Sequence, residues 1–373
     1  MSEDDATPPD GGPSRRAGSR KKGRGTGGTG GRPKRRRGLR IALVVLLLLL
    51  IAGAGSAYWM YRDLDNNIKA VDIDSGLVEK ERPEKLPTSG QNLLVLGSDS
   101  RAGAENKELG GGGGVSGARS DTAMVVHIPE GRARAFAISI PRDTLVTRPE
   151  CVKGDGSTLA SAERVMFNSV YSQVGPACVV KTVEKMSGVR IDHYLEINFA
   201  GFKGLVDAIG GVTVEVDEPI KDSASGLDLS AGTHKLDGTE SLAFVRTRHG
   251  IGDGSDLGRI GLQQQFLFAL LKEVKKQDLL GSPTKSYKIA SAATESLTTD
   301  SSLASLKSLA EFARSMNGVD PASMETIMLP VQYDERDPNR VVAAHPQSDD
   351  LWKAIREDAT IPESAKKSPA TGG

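Results

Sequence analysis

Leu93-Leu94-Val95-Leu96-Gly97-Ser98-Asp99-Ser100-Arg101 is an apolar run that stops at a glycine and turns polar and charged within two residues. A short apolar run closed by turn residues reads as a buried strand, and the charged loop that follows is where functional groups gather. Similar strand-like runs cover residues 122–128, 133–140, 194–198, 212–216 and 326–331. Helical periodicity covers 158–173, 176–187, 199–209, 256–277, 303–316 and 349–357. Alternation of this kind predicts an α/β protein: a layered α/β/α domain with a central mixed sheet, placed over residues 89–358.

Before this domain, residues 62–88 carry seven acidic and five basic side chains and end near Pro83 and Pro87, which predicts an extracytoplasmic stalk. Residues 41–61 are 21 consecutive uncharged, mostly apolar positions. As a helix they span roughly 30 Å, a bilayer core, with Tyr58, Trp59 and Tyr61 at one interface. Residues 1–40 are Gly-, Pro-, Ser-, Arg- and Lys-rich and hold twelve basic and four acidic residues. Such a segment buries too little apolar surface to order itself and is expected to be disordered. The basic cluster before the span predicts a cytoplasmic N-terminus and an exported domain at the cell membrane. The alternative is a signal peptide cleaved near Ala52-Gly53-Ala54, which exports the domain equally. Residues 359–373 read as a flexible tail.

The formal net charge is zero, with 48 basic and 48 acidic residues, but the two signs are segregated. Beyond residue 61 there are 36 basic and 44 acidic residues, so the main domain is no basic nucleic-acid binder. Cys151 and Cys178 are the two cysteines, which excludes a four-thiolate zinc site. In an exported domain the even count favours a disulfide, the alternative being two unpaired thiols. The five histidines are scattered without paired spacing, and no nucleophile elbow, P-loop or dinucleotide fingerprint is present.

Arginines cluster with aspartates at element ends: Asp99 and Arg101, Arg119 and Asp121, Arg142 and Asp143, Arg246 and Arg248, Asp256 and Arg259. Guanidinium is permanently charged and planar and grips phosphate oxygens as a fork, and lysine is missing from all five stretches. Repeated arginine suggests a multiply charged anion such as a pyrophosphate. Asp99 and Asp121 would repel that anion unless a cation lies between them, and Mg2+ accepts one or two carboxylates together with phosphate oxygens. Surface ion pairs and helix caps are the plainer account of any single pair. On the 256–277 helix, Asp256, Arg259 and Gln263 fall within about 60° of one another. Leu267, Leu270, Leu271 and Val274 continue the same stripe. A polar-to-apolar stripe fits a polyanionic head with an apolar tail; equally, the helix could simply emerge from the core.

These stretches, in order, resemble the LytR-CpsA-Psr family. The segments are 93–101 (LLVLGSDSR), 119–125 (RSDTAMV), 139–144 (SIPRDT), 191–194 (IDHY), 199–214 (FAGFKGLVDAIGGVTV), 232–238 (GTHKLDG), 243–248 (AFVRTR) and 256–264 (DLGRIGLQQ). The resemblance implies a membrane-anchored phosphotransferase that moves an anionic glycopolymer from a polyprenyl-pyrophosphate carrier onto peptidoglycan. It implies Mg2+ on Asp99 and Asp121, with Mn2+ as a substitute. It implies pyrophosphate binding by Arg119, Arg142, Arg246, Arg248, Arg259 and Gln263, catalytic roles for Asp121 and Arg142, and a hydrophobic lipid pocket. Leu262 stands where the family often has arginine, and the 102–118 loop is long and Gly-rich. Three other readings stay open: a hydrolase of the lipid pyrophosphate, a non-catalytic binder of glycan or lipid, and a transcriptional regulator using the basic tail.

Overall fold

A computed structural model describes the backbone of residues 34–98, 120–131, 134–247, 256–277, 282–316 and 318–371. Side chains are described for all of these except 34–38, 120, 121, 256–258, 321 and 371. The chain divides into two compact units, residues 1–56 and 57–373. Helix α1, Lys34–Asn67, starts within the segment expected to be disordered. Over residues 39–67 it is long and apolar enough to cross a membrane, its most apolar stretch having a mean hydropathy of 2.5, and this fits a single-pass anchor.

The second unit is built on a seven-stranded mixed sheet. Its strands are β1 (Lys69–Val71), β2 (Gln91–Ser98), β3 (Ser120–Ile128), β4 (Ala135–Ile140), β5 (His193–Asn198), β6 (Leu297–Asp300) and β7 (Met324–Met328). They lie in the order β1-β6-β5-β2-β3-β4-β7. Pairing is parallel for β1/β6, β5/β2 and β4/β7, and antiparallel elsewhere. The other helices are α2 (Phe167–Val174), α3 (Pro176–Ser187), α4 (Phe199–Ile209), α5 (Gly238–Arg246), α6 (Asp256–Lys275), α7 (Pro283–Ser296), α8 (Leu306–Ser315) and α9 (Gln347–Arg356).

The alternation of side chains along a strand sorts the sheet into two faces. Leu94, Leu96, Val125, Ile138 and Tyr194 pack with Val170 of α2, Val179 and Val183 of α3, and Leu351 and Ile355 of α9. On the other face Leu93, Val95 and Leu195 meet Leu267, Phe268 and Leu271 of α6 and Phe312 of α8. A third cluster joins α4, α5, α6 and the hairpin Val212–Val216/Gly232–Leu236 through Val206, Phe244, Phe266, Val214 and Leu236. Leu262 sits in this cluster, 7% exposed, where a charged side chain would be costly to bury. The predicted mixed sheet between helical layers is the observed fold.

Three expectations are corrected. Residues 62–88 are no separate stalk. Tyr287 Oη donates to Asp63 (2.6 Å), the Leu306 N–H donates to Asp65 (2.8 Å), β1 forms the sheet edge, and Ile73 is buried. The charges that suggested a solvated stalk are paired instead, Arg82 donating to buried Glu184 at 2.7 Å. Residues 359–371 are docked, not flexible: Ile361 and Ala365 are buried, and Ser368 Oγ exchanges hydrogen bonds with the backbone of Val331. The expected helix over 158–173 is confined to Phe167–Val174, because Thr158–Leu159 and Ala162–Met166 pair as strands with Cys151–Val152 and Leu145–Arg148.

Cys151 and Cys178 form the disulfide, with an S–S distance of 2.05 Å, tying the hairpin after β4 to α3. Asp300, at the end of β6, accepts from the Tyr194 N–H (2.9 Å), the Ser302 N–H (2.8 Å), Ser302 Oγ and the His193 ring. Burial pushes its carboxyl up most strongly, but these hydrogen bonds together outweigh burial and hold the pKa at about 2. The unfolded value is about 3.9, so this group's stabilisation is complete above that pH and is lost as pH falls toward the folded value. Urea titrations are expected to show stability falling through this acid window in the wild type and a flatter profile in Asp300→Asn. An unchanged slope would exclude this role.

Candidate active site

The strands bring the motif loops to one end of the sheet. In the β2/β3 register Gly97 faces Thr122 and Ser98 faces Ser120, so Asp121 is the extra residue of a β-bulge. Bulges interrupt pairing and re-aim the local chain, and they recur beside active sites. The β4 strand ends at the same level, since Ala123 pairs with Ile140, and Pro141 and Arg142 follow directly. The Asn168 N–H, at the start of α2, donates to the Arg142 carbonyl (3.1 Å) and fixes that loop.

Helix α4 starts here because Asn198 caps it, its Oδ1 accepting from the Gly201 N–H at 2.8 Å. The next residue, Phe199, lies under the guanidinium of Arg246, whose Cζ is 4.9 Å from the ring centroid, a cation–π contact. Arg246 ends α5, which begins with a capping box between Asp237 and Glu240. Gln263 on α6 is anchored by its Nε2 donating to the Val245 carbonyl (3.1 Å).

Arg246, Arg259 and Gln263 line a cavity of about 270 Å3 with Gly97, Thr122 and Phe199. Val245 and the hairpin Ile220–Asp222/Leu227–Leu229, through Asp222 and Ser225, complete its wall, and Ser225 Oγ lies 2.7 Å from Thr247 Oγ1. Arg259 is 4% exposed, a buried cation that water cannot screen. A void of about 10 Å3, the size of one water, lies among Ser139, Arg142, Arg259 and Gln263. An apolar cavity of about 160 Å3 shares Gly97, Thr122, Phe199, Val245 and Gln263 with the arginine-lined one. Its own walls include Val95, Met124, Phe202, Phe266, Leu267 and Leu270.

Of the residues expected at the site, the structure brings together Arg142, Arg246, Arg259 and Gln263. Asp99, Arg119 and Arg248 lie outside the described residues. So do the side chains of Asp121 and Asp256, although their backbones are placed. Among the described residues no group of three His, Cys, Asp or Glu side chains could hold a metal. The expected α6 stripe holds through Arg259, Gln263, Leu267 and Leu270; Leu271 packs just beyond the cavity, and Val274 turns out to solvent. Sequence reasoning missed Phe199, Asp222, Ser225 and Ser139, whose buried Oγ has no hydrogen-bond partner among the described residues. Phe199 and Ser139 lay inside quoted motifs and could have been singled out there; Asp222 and Ser225 carried no local signal. A larger cleft, about 760 Å3, lies beside Cys151, where Arg82 pairs with Glu184 and Lys181 with Glu81.

Residues 60–357 match the model of the LytR_cpsA_psr family. The chain belongs to this family. The chain is 37% identical over 215 residues to a Corynebacterium glutamicum protein named "Probable cell wall biosynthesis protein LcpB". The match takes in 57% of this chain and 48% of LcpB, so the chain spans about half the length of that relative. It is 28% identical over 271 residues to the "Polyisoprenyl-teichoic acid--peptidoglycan teichoic acid transferase TagU" of Enterococcus faecalis, covering 72% of this chain and 80% of TagU. Among solved structures, the LytR-Csp2A-Psr enzyme from Actinomyces oris superposes with a TM-score of 0.57 at 25% identity, covering 77% of this chain and 95% of that one. In this member of the LytR_cpsA_psr family, Arg246 and Arg259 line the cavity that shares a wall with the apolar one.

Proposed function

We propose that the chain is a cell-wall glycopolymer phosphotransferase that takes its glycan from a polyprenyl-pyrophosphate carrier and passes it to peptidoglycan. The observation that carries this reading is the shared wall between the Arg246/Arg259 cavity and the apolar cavity under α6. An anionic diphosphate head and a hydrocarbon neck need those two environments side by side. The transferase name borne by TagU supports the same reaction class.

In this reaction the acceptor hydroxyl oxygen attacks the sugar-linked phosphorus. That P–O bond forms as the bond to the bridging oxygen breaks, the hydroxyl proton passes to solvent, and polyprenyl phosphate leaves. Arg246 and Arg259 bind the diphosphate and offset the charge growing on the leaving oxygen, and Arg142 stabilises the transferring phosphoryl group. Asp99 and Asp121 are the residues that would hold Mg2+. Two carboxylates, one at a bulge and one directly after the paired Ser98, suit an ion that completes its shell with water and phosphate oxygens. When bound, that ion would supply further neutralisation of the diphosphate. The basic residues before the α1 span and the disulfide both support a cytoplasmic N-terminus and an extracytoplasmic domain.

The test is product analysis with a radiolabelled polyprenyl-pyrophosphate glycan, with and without peptidoglycan fragments. A phosphodiester-linked conjugate that needs the acceptor is expected. Release of phosphorylated glycan whether or not acceptor is present would replace transfer with hydrolysis, and binding without turnover would leave a non-catalytic receptor.

A further inference from the structure

The loop that presents Arg142 has a second flank. Arg142 Nε lies 3.4 Å from Asp143 Oδ2, and Arg340 Nη1 lies 3.6 Å from Asp143 Oδ1. Two guanidinium groups therefore share this carboxylate. Arg340 comes from almost 200 residues further along the chain, at the end of the loop between the paired strands Val331–Tyr333 and Val341–Ala343.

That loop is built to be rigid. Thr144 bridges to Val341 in parallel, and the Asp334 N–H donates to the Arg340 carbonyl (2.9 Å). Asp334 accepts a bidentate pair from Arg164 (3.0 and 2.7 Å) and the N–H groups of Arg336 (3.1 Å) and Asp337 (2.9 Å). Arg164 adopts φ +56°, a left-handed conformation that L-residues rarely take, and the fork onto Asp334 holds it there.

The Arg340 side chain is 31% exposed, and its two carboxylate contacts, 3.6 Å to Asp143 and 3.9 Å to Asp337, are longer than charge-assisted hydrogen bonds. Its Nη1 also donates to the Asn339 carbonyl (3.1 Å), so the group is held in place while Nη2 remains for an incoming anion. Neither Arg340 nor Asp143 lines the Arg246/Arg259 cavity. An anion at Arg340 would therefore lie outside the cavity assigned to the donor head, linked to Arg142 through the shared Asp143 carboxylate.

We propose that Arg340 is the acceptor-side contact: it takes a carboxylate of the incoming glycan strand and so sets the acceptor hydroxyl beside Arg142. This inference rests on the transferase reading above. Asp143 is the positioning residue that holds both arginines.

The experiment uses the full-length chain in detergent, a synthetic polyprenyl-pyrophosphate glycan, and soluble peptidoglycan fragments with free or amidated carboxylates. With acidic fragments, Arg340→Gln is expected to raise the acceptor KM by about ten- to a hundredfold, the effect of losing a charge-assisted contact. Donor KM and thermal midpoint should stay unchanged, and Arg340→Lys should recover part of the loss. With amidated fragments, wild type and Arg340→Gln should converge. An unchanged acceptor KM, or a donor KM that rises in step, would overturn the assignment while leaving transfer intact. Absence of any conjugate from the wild type would overturn the transferase reading and this inference with it.

Discussion

Arg142→Ala is expected to lower glycopolymer transfer about 10²–10³-fold, the cost of removing one preorganised donor from a site that stabilises developing charge. Arg142 shares a void the size of one water with buried Arg259 and Gln263, and its backbone is fixed by the Asn168 N–H. Its side chain is 21% exposed, so truncation leaves no large internal cavity and the thermal midpoint should hold. Single-turnover rates with saturating donor and acceptor separate this loss from weakened binding. Asp121→Asn should behave alike in transfer and should also shift the concentration of added Mg2+ at half-maximal rate. Turnover within a few-fold of wild type for Arg142→Ala would remove Arg142 from the reaction.

The second large effect concerns stability. Cys151 and Cys178 are 27 positions apart, are 3% and 2% exposed, and close a loop that holds the 151–166 hairpins on α3. A constraint over that length stabilises by roughly 3–4 kcal/mol in the loop-entropy account. Cys151→Ser with Cys178→Ser should therefore lower the thermal midpoint by on the order of 10 °C, while transfer at 20 °C survives because the arginines sit on other loops. Calorimetry of the full chain decides it. A shift under about 2 °C would mean that the surrounding core, with Val179 and Phe167 fully buried, holds this layer unaided.

Five of the seven sheet strands were legible because they are apolar runs with clear ends, whereas β1 and β6 are short and largely polar and went unread; the 199–209 and 176–187 helices were legible because Asn198, Gly210, Pro176 and Gly188 mark their limits. The 158–166 stretch misled because its apolar residues fit a helical period as well as two short strands, and only pairing with residues 145–152 decides between them. Helix α7 went unread because it is rich in Ala and Ser and shows no broad apolar stripe. At the site, Arg142, Arg246, Arg259 and Gln263 were legible because permanent charge and helical phase are local properties. Asp222, Ser225 and Arg340 were not, because hairpins far along the chain carry them to the rim and no short motif encodes that approach.

The apolar cavity under α6 is small beside any long isoprenoid. A slot of about 160 Å3 admits only the stretch of hydrocarbon next to the phosphate. A polyprenyl donor would thus be gripped at its neck, with the rest of the tail left in the bilayer. Such an enzyme would be expected to discriminate little by the number of prenyl units and mainly by the first few carbons, which transfer rates with donors of graded chain length would check.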